Sequence, residues 1–325
     1  MGRSRRLINN ADRLGNHFID GLGDGSCCVS RSFSGGAVGS TFIDNRRGGK
    51  LHKLQPEIHT GENVVINSDP TTDYRPREAI LLVAGIGRRL RPLTRECPKC
   101  LLEVGGMPLL RRLLEQLQQA DIERVILATG FQHDLLVAEV DSWSLSLTID
   151  VAANEDYANT NNAVSLAVAM QRLRSPRFLL CDGDILLRRT DSLIRLLEMP
   201  RDNILSVMRL DALGKEEMKA VVEPGDGRIR QLGKALSPKR ADGESLGIQK
   251  IGPSAYHRLK DRLAELDGEE REKLYYEDVF AELIAEGIDF YACSFPVGGW
   301  TEIDTVEDLE EARRLATRWE FLPVE

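Results

Sequence analysis

From about Arg77 onward, apolar residues recur with two different periods, and those periods lay out the chain. Glu78 to Ala84 reads as a buried strand ending in Gly85-Ile86-Gly87-Arg88-Arg89. A Pro-punctuated loop follows, then helical spacing over Pro108–Ala120. Arg124–Thr129 and Ser146–Ala153 are two more short apolar runs. Helical spacing returns at Ala163–Leu173, ahead of a strand at Phe178–Cys181 and a helix near Asp191–Leu197. Between Asn203 and Lys250 short β-like pieces dominate, among them Ile204–Met208 and Ala220–Glu223. Helices over Pro253–Glu265 and Tyr276–Glu286, a strand at Phe290–Ser294 and a helix at Val306–Thr317 complete the pattern. Strands separated by helical stretches predict a mainly parallel sheet covered on both faces. The expected fold class is α/β: a three-layer α/β/α domain over residues 77–325, with a mixed, mainly parallel central sheet and a small β insertion.

Residues 1–76 carry neither period for long. They are rich in Gly, Ser, Asn and Arg, with runs such as Gly21-Leu22-Gly23-Asp24-Gly25. Such a stretch buries too little apolar area to offset the entropy of ordering it, which predicts a disordered or loosely packed extension. A partner-binding arm and a native start downstream of Met1 are the alternatives. This stretch is slightly basic, at ten Lys/Arg against eight Asp/Glu, while the whole chain of 325 residues carries a net charge of −8. That acidity argues against bulk nucleic-acid binding, which needs clustered cations. No apolar run approaches the roughly 20 residues of a membrane-spanning helix. Six cysteines are too sparse for a disulfide scaffold, so reduced, cytoplasmic surroundings are expected. Association of like copies stays open.

Open parallel sheets bind ligands at the carboxyl ends of their strands. The first such end is Ala84-Gly85-Ile86-Gly87, where glycines allow close approach and successive N–H groups can cradle phosphate oxygens. Arg89 and Lys99 add fixed cations, and the run Ala84–Lys99 points to a polyphosphate site. A second constellation is acidic. Asp182-Gly183-Asp184 follows the strand Phe178–Cys181, and Glu302-Ile303-Asp304-Thr305 precedes the last helix. Taken singly, each Asp suits a turn or a helix cap. Two carboxylates from separated loops also suit Mg²⁺, which takes one or two of them plus water and phosphate oxygens. Cys97-Pro98-Lys99-Cys100 invites a redox or zinc reading, but there is no second Cys pair at zinc spacing. Cys100 is expected to be a packing residue.

The run Leu82-Val83-Ala84-Gly85-Ile86-Gly87-Arg88-Arg89-Leu90-Arg91-Pro92-Leu93-Thr94, with Pro98-Lys99-Cys100-Leu101 and Val104-Gly105-Gly106-Met107-Pro108-Leu109, resembles the opening of the nucleoside triphosphate transferase superfamily. Asn154-Glu155-Asp156-Tyr157, Thr160-Asn161-Asn162 and Tyr276-Glu277-Asp278 resemble its phosphocholine cytidylyltransferase-like branch. The resemblance covers about residues 79–316 and implies a nucleotide-diphospho-sugar transferase-like fold. It implies that Arg89 and Lys99 bind the triphosphate and stabilise charge during transfer. It also implies that Val83, Ala84, Gly85, Gly87, Asn161 and Asn162 touch the nucleotide, and that Asp184 and Asp304 hold Mg²⁺. Lys219, Tyr276, Glu277, Asp278, Trp300 and Glu302 are the candidate acceptor contacts. The expected reaction is nucleotidyl transfer from CTP to a small phosphate or phosphonate such as phosphocholine, phosphoethanolamine or aminoethylphosphonate. Ser206–Leu213 offers no aromatic residue where choline-specific members supply one, which weighs against choline. The alternatives are a sugar-1-phosphate or inositol phosphate acceptor, and a catalytically silent nucleotide-binding regulator.

Overall fold

Successive residues of the central strands bury themselves on opposite sides of one sheet. The computed structural model describes residues 74–209, 213–214 and 217–319. Before them it gives the strands β1 (Ser30–Ser34), β2 (Ala37–Ile43) and β3 (Leu51–Lys53), which pair antiparallel in that order. The chain divides into two units, Met1–Val65 and Ile66–Glu325. The expectation for residues 1–76 falls largely outside the described residues.

In the second unit the parallel strands are β4 (Glu78–Leu82), β7 (Arg124–Thr129), β8 (Thr148–Ala153) and β9 (Phe178–Asp182). Two two-residue strands, β5 (Glu103–Val104) and β6 (Met107–Pro108), form a small hairpin after β4. Leu81, Leu127 and Cys181 enter one core, and Ile80, Ile126 and Leu180 the other. This period of two, with both sets apolar, is what a sheet covered on both faces requires. The first core is closed by α1 (Leu109–Gln119), α2 (His133–Asp141) and α4 (Asp191–Glu198). The second is closed by α3 (Asn162–Met170), α5 (Pro253–Ala264) and α7 (Tyr276–Ala285). Leu110, Leu113, Leu114 and Leu117 form the buried stripe of α1, each contributing on the order of 2 kcal/mol of burial.

The expected β insertion is continuous with the main sheet. β14 (Gly243–Ile251) runs antiparallel to β9 along its second half and to β11 (Ile204–Met208) on its other edge. β11 then pairs parallel with β15 (Tyr291–Ser294). β12 (Lys219–Val222) and β13 (Ile229–Gly233) form a hairpin that joins the start of β14. Gly247 within β14 has φ +70°, and a Cβ there would lie 2.3 Å from Asp182 Oδ2. Only glycine both accepts that backbone and leaves room for the carboxylate. β10 (Ile185–Leu187), β16 (Trp300–Glu302), the short α6 (Gly268–Lys273) and α8 (Val306–Arg318) complete the unit.

Candidate active site

The loop after β4 is shaped by its own side chains. Gly87 adopts φ +64°, and the buried Thr94 donates its hydroxyl to the Gly87 carbonyl at 2.6 Å. A Cβ on Gly87 would stand 3.2 Å from both Lys99 Cβ and Thr94 Cγ2, so the two ends of the loop touch through a glycine. Arg89 lies on a single helical turn, Arg88–Leu90, and Lys99 opens another, Lys99–Leu101. The acidic residues arrive from two distant segments. Gly183 N donates to Leu82 O at 3.0 Å, which turns the chain past the end of β9 beside β4. A side chain at 183 would strike Val83 Cγ1 at 2.4 Å. β10 and β16 pair antiparallel with Ile185 opposite Glu302, and Ile303 N donates to Asp184 O at 3.1 Å. That pairing brings Asp304 next to Asp184 across 120 residues of sequence. Thr305 caps α8 in a reciprocal pair with Asp308, which fixes the backbone on the far side of Asp304.

Lys99 Nζ donates to Asp184 Oδ2 at 2.5 Å and to Asp304 Oδ1 at 2.8 Å. Arg89 Nη2 donates to Asp304 Oδ2 at 2.5 Å. Burial alone would lower the Lys99 pKa, but Asp184 and Asp304 outweigh it and raise it well above the ordinary lysine value. Burial opposes ionisation of Asp304 too, and Lys99 and then Arg89 override it, holding the carboxyl below its usual range. Both ions are therefore charged near neutral pH. The Asp184, Glu302 and Asp304 carboxylates offer oxygens within 4.8 Å of one another, and Asp184 Oδ1 is buried without a partner among the described residues. Hard oxygen donors in that number suit a divalent cation such as Mg²⁺.

These groups border a cleft of about 670 Å³. Of the expected nucleotide contacts, Val83, Ala84, Gly85, Gly87, Arg89, Lys99, Asn161 and Asn162 all line it. Asn161 also caps α3: its Oδ1 accepts from Asn162 N at 2.8 Å, and its Nδ2 donates to Lys273 O at 3.0 Å. Asn162 Oδ1 accepts from Tyr276 N at 3.0 Å. Asn161 thus ties the start of α3 to the end of α6, and Asn162 ties it to the start of α7, while both border the cleft.

The expected acceptor residues divide. Glu277 and Glu302 line the cleft, whereas Lys219, Tyr276, Asp278 and Trp300 do not. Tyr276 is fully buried; its hydroxyl donates to Asp182 Oδ2 at 2.8 Å and accepts from Gln249 Nε2 at 3.2 Å. Asp278 is spent on the Tyr275 N–H that opens α7. Trp300 turns to the first core, and its indole N–H meets Met208 Sδ at 3.1 Å. Lys219 is buried and donates to the Glu217 carbonyl at 2.9 Å. Apolar packing claimed the two aromatics because their rings gain more from the core than from a wet cleft. In their place the cleft holds Glu217, Lys234, Glu244, Ser245 and Tyr275. Glu244 and Ser245 are polar residues in a strand whose alternation is too broken to announce itself. Burial raises Asp182 well above the ordinary carboxylate range, with Glu277 and Asp184 adding to it. Cys100 is buried, and burial pushes its thiol up to about 12, as a packing residue requires.

Comparison with known proteins identifies the family. Residues 79–274 match the family model described as the MobA-like NTP transferase domain. The chain is 28% identical over 250 residues to a "Bifunctional IPC transferase and DIPP synthase" of Rubrobacter xylanophilus, covering 77% of this chain and 54% of that protein. It is 30% identical over 234 residues to a mannose-1-phosphate guanylyltransferase of Mycobacterium tuberculosis, covering 71% and 62%. The chain therefore spans a little over half the length of these relatives. Among solved structures, the inositol-1-phosphate CTP transferase of T. maritima superposes with a TM-score of 0.64 at 25% identity, covering 77% of this chain and 99% of that one. A CTP:phosphocholine cytidylyltransferase of Streptococcus pneumoniae shares the fold at a TM-score of 0.56 and 22% identity, covering 74% and 99%. With the family model matched over more than half of the chain, the chain belongs to the MobA-like NTP transferase domain family.

Proposed function

We propose that the protein transfers a nucleotidyl group, CMP from CTP, to the phosphate or phosphonate oxygen of a small organic acceptor and releases pyrophosphate. The observation that carries this is Lys99 held between Asp184 and Asp304 with Arg89 on the outer carboxylate oxygen, at the head of a nucleotide-sized cleft. The acceptor oxygen attacks the α-phosphorus, forming a new P–O bond as the bond to pyrophosphate breaks in line. No covalent enzyme intermediate is needed, because alignment and charge stabilisation supply the rate. Lys99 and Arg89 place fixed positive charge where the leaving group gains negative charge. Asp184 and Asp304 would hold Mg²⁺, with Glu302 at the rim; the ion would offset charge on the phosphate oxygens. The backbone from Val83 to Gly87 provides the close approach a nucleotide needs. Reduced, cytoplasmic surroundings belong to the same proposal.

The second reading keeps the reaction and changes the acceptor to a sugar-1-phosphate or inositol phosphate. It is favoured by the likeness to the guanylyltransferase and the inositol-1-phosphate enzyme. Pyrophosphate release, measured with CTP, UTP, dTTP and GTP against a panel of acceptors, separates the readings. Turnover with CTP and an organic phosphate or phosphonate supports the proposal. Turnover confined to a sugar-1-phosphate or inositol phosphate establishes the second reading. Nucleotide binding without pyrophosphate release from any pair would make the protein a silent binder.

A further inference from the structure

The same cleft is lined by a second group of charged residues beside the Lys99 cluster. Strand register assembles it: Lys219 lies opposite Gly233 and opposite Glu244, and Ser245 N donates to Met218 O at 2.8 Å. Glu217, Lys234, Glu244 and Ser245 therefore meet where β12, β13 and β14 open onto the cleft. The start of α7 adds Tyr275 and Glu277, since Lys234 Nζ stands 4.1 Å from the centre of the Tyr275 ring. All six residues line the cleft. Among the described residues three carboxylates thus share this end with the Lys234 ammonium and with Lys219, whose charge acts on Glu244 while its ammonium donates to the Glu217 carbonyl.

Several polar atoms here are unsatisfied. Glu217 Oε2, Glu277 Oε2 and Ser245 Oγ are buried and have no hydrogen-bond partner among the described residues. Glu277 and Ser245 are each only 9% exposed. Buried polar groups normally find partners, so orphans on the wall of a cleft indicate that a ligand provides them. A carboxylate oxygen only accepts, so the ligand group must donate. The acceptor's phosphate is an anion with acceptor oxygens and belongs at the Lys99 end; the group met here is the other end of the molecule. Burial and then Glu217 push the Glu244 carboxyl up to about 7 against the pull of Lys219, and burial pushes Glu277 up to about 7 against the pull of Lys234.

We propose that this end of the cleft binds a primary ammonium carried by the acceptor, gripped by Glu277 and Glu217 with the Ser245 hydroxyl beside them. A trimethylammonium has no N–H to give and is favoured by aromatic faces. Tyr275, the one ring among the six residues named here, already carries Lys234 on its face. A neutral polyol supplies donors but leaves the negative charge uncompensated. This deepens the cytidylyl-transfer reading and rests on it.

The test uses the full chain with CTP and Mg²⁺, and reads pyrophosphate release with phosphoethanolamine, propyl phosphate, phosphocholine and inositol 1-phosphate. Phosphoethanolamine is expected to exceed the other three in kcat/KM by about 100-fold or more, because a site built to hydrogen-bond one group rejects analogues lacking it. Glu277→Gln should collapse the ratio between phosphoethanolamine and propyl phosphate by about 10-fold or more. Glu217→Gln, at a less buried position, should shift the same ratio in the same direction and covers the case in which Glu277→Gln does not fold. Phosphocholine, propyl phosphate or inositol 1-phosphate as the best acceptor, or a ratio unmoved in both variants, overturns this inference and leaves nucleotidyl transfer standing. Absence of pyrophosphate release from every acceptor overturns the transferase reading itself.

Discussion

The two ends of the central sheet both bury charge, and they do so to opposite ends. At the amino end of β4 and β7, Glu78 and Arg124 are each 6% exposed and paired. The other Glu78 oxygen accepts from Arg174 N and Ser175 N, both at 2.9 Å. Arg124 Nη2 reaches Asp150 at 2.5 Å and the Arg172 carbonyl at 2.9 Å, which leaves Nε as its buried group without a partner among the described residues. That cluster joins β4, β7, β8 and the segment before β9, and its charges are almost wholly consumed by one another. Around the cleft at the carboxyl end, buried oxygens of Asp184, Glu217 and Glu277 have no partner among the described residues. A network that satisfies itself holds strands in place, whereas one that is left incomplete is prepared for something that binds. Charge burial alone does not mark a site; unfinished pairing does.

The comparison predicts which variants lose activity and which lose stability. The largest effect is expected for Lys99→Ala, which should lower pyrophosphate release by about 1000-fold while far-UV circular dichroism stays that of the wild type. Retained turnover in the folded variant would remove Lys99 from the chemistry. At the other end, Arg124→Ala leaves Glu78 buried without its counter-ion and should cost about 3–5 kcal/mol in urea unfolding. A stable Arg124→Ala protein would show that this pair is not what holds the amino end together. Gly247→Ala forces a Cβ against Asp182 and an L residue into positive φ, and should cost about 1–3 kcal/mol in the same measurement.

The smallest effect is a pH dependence. Burial and Glu217 raise the Glu244 carboxyl to about 7 from an ordinary 4.5, with Lys219 opposing and Glu302 also within reach of its field. The folded chain keeps a proton there that the unfolded chain releases, so stability is greatest below the ordinary carboxylate range and declines as pH rises towards 7. Melting temperatures taken between pH 5 and 8 should fall less in Glu244→Gln than in the wild type. Parallel curves would mean that Glu244 ionises freely in the folded protein.

Much of this could be read from the residues in order. The short apolar runs in Glu78–Leu82 and Arg124–Thr129 and the leucine stripe of α1 are local signals, and the strands and helix stand where they place them. The helix α2 was not legible, because within His133–Asp141 only Leu136 and Val140 are buried and no stripe stands out. Nor was β14, the strand that joins the hairpin β12–β13 to the main sheet. Its Gln249 and Lys250 are polar yet fully buried, and no periodicity predicts that. Tyr276 meets the amide of Gln249, and the carbonyls of Leu197 and Met199 accept from Lys250. Those partners lie up to 53 residues away in sequence.

The sequence by itself determined the sheet, the glycine-bearing loop with Arg89 and Lys99, and the two acidic turns, because each is set by residues a few positions apart. Tertiary structure alone decided which acidic turns face which cations, through the pairing of β10 with β16. It also decided that Tyr276 and Trp300 serve the core while Glu217, Glu244 and Ser245 border the cleft. Side-chain roles of that kind depend on what else is buried nearby, and burial is a property of the folded chain rather than of any segment within it.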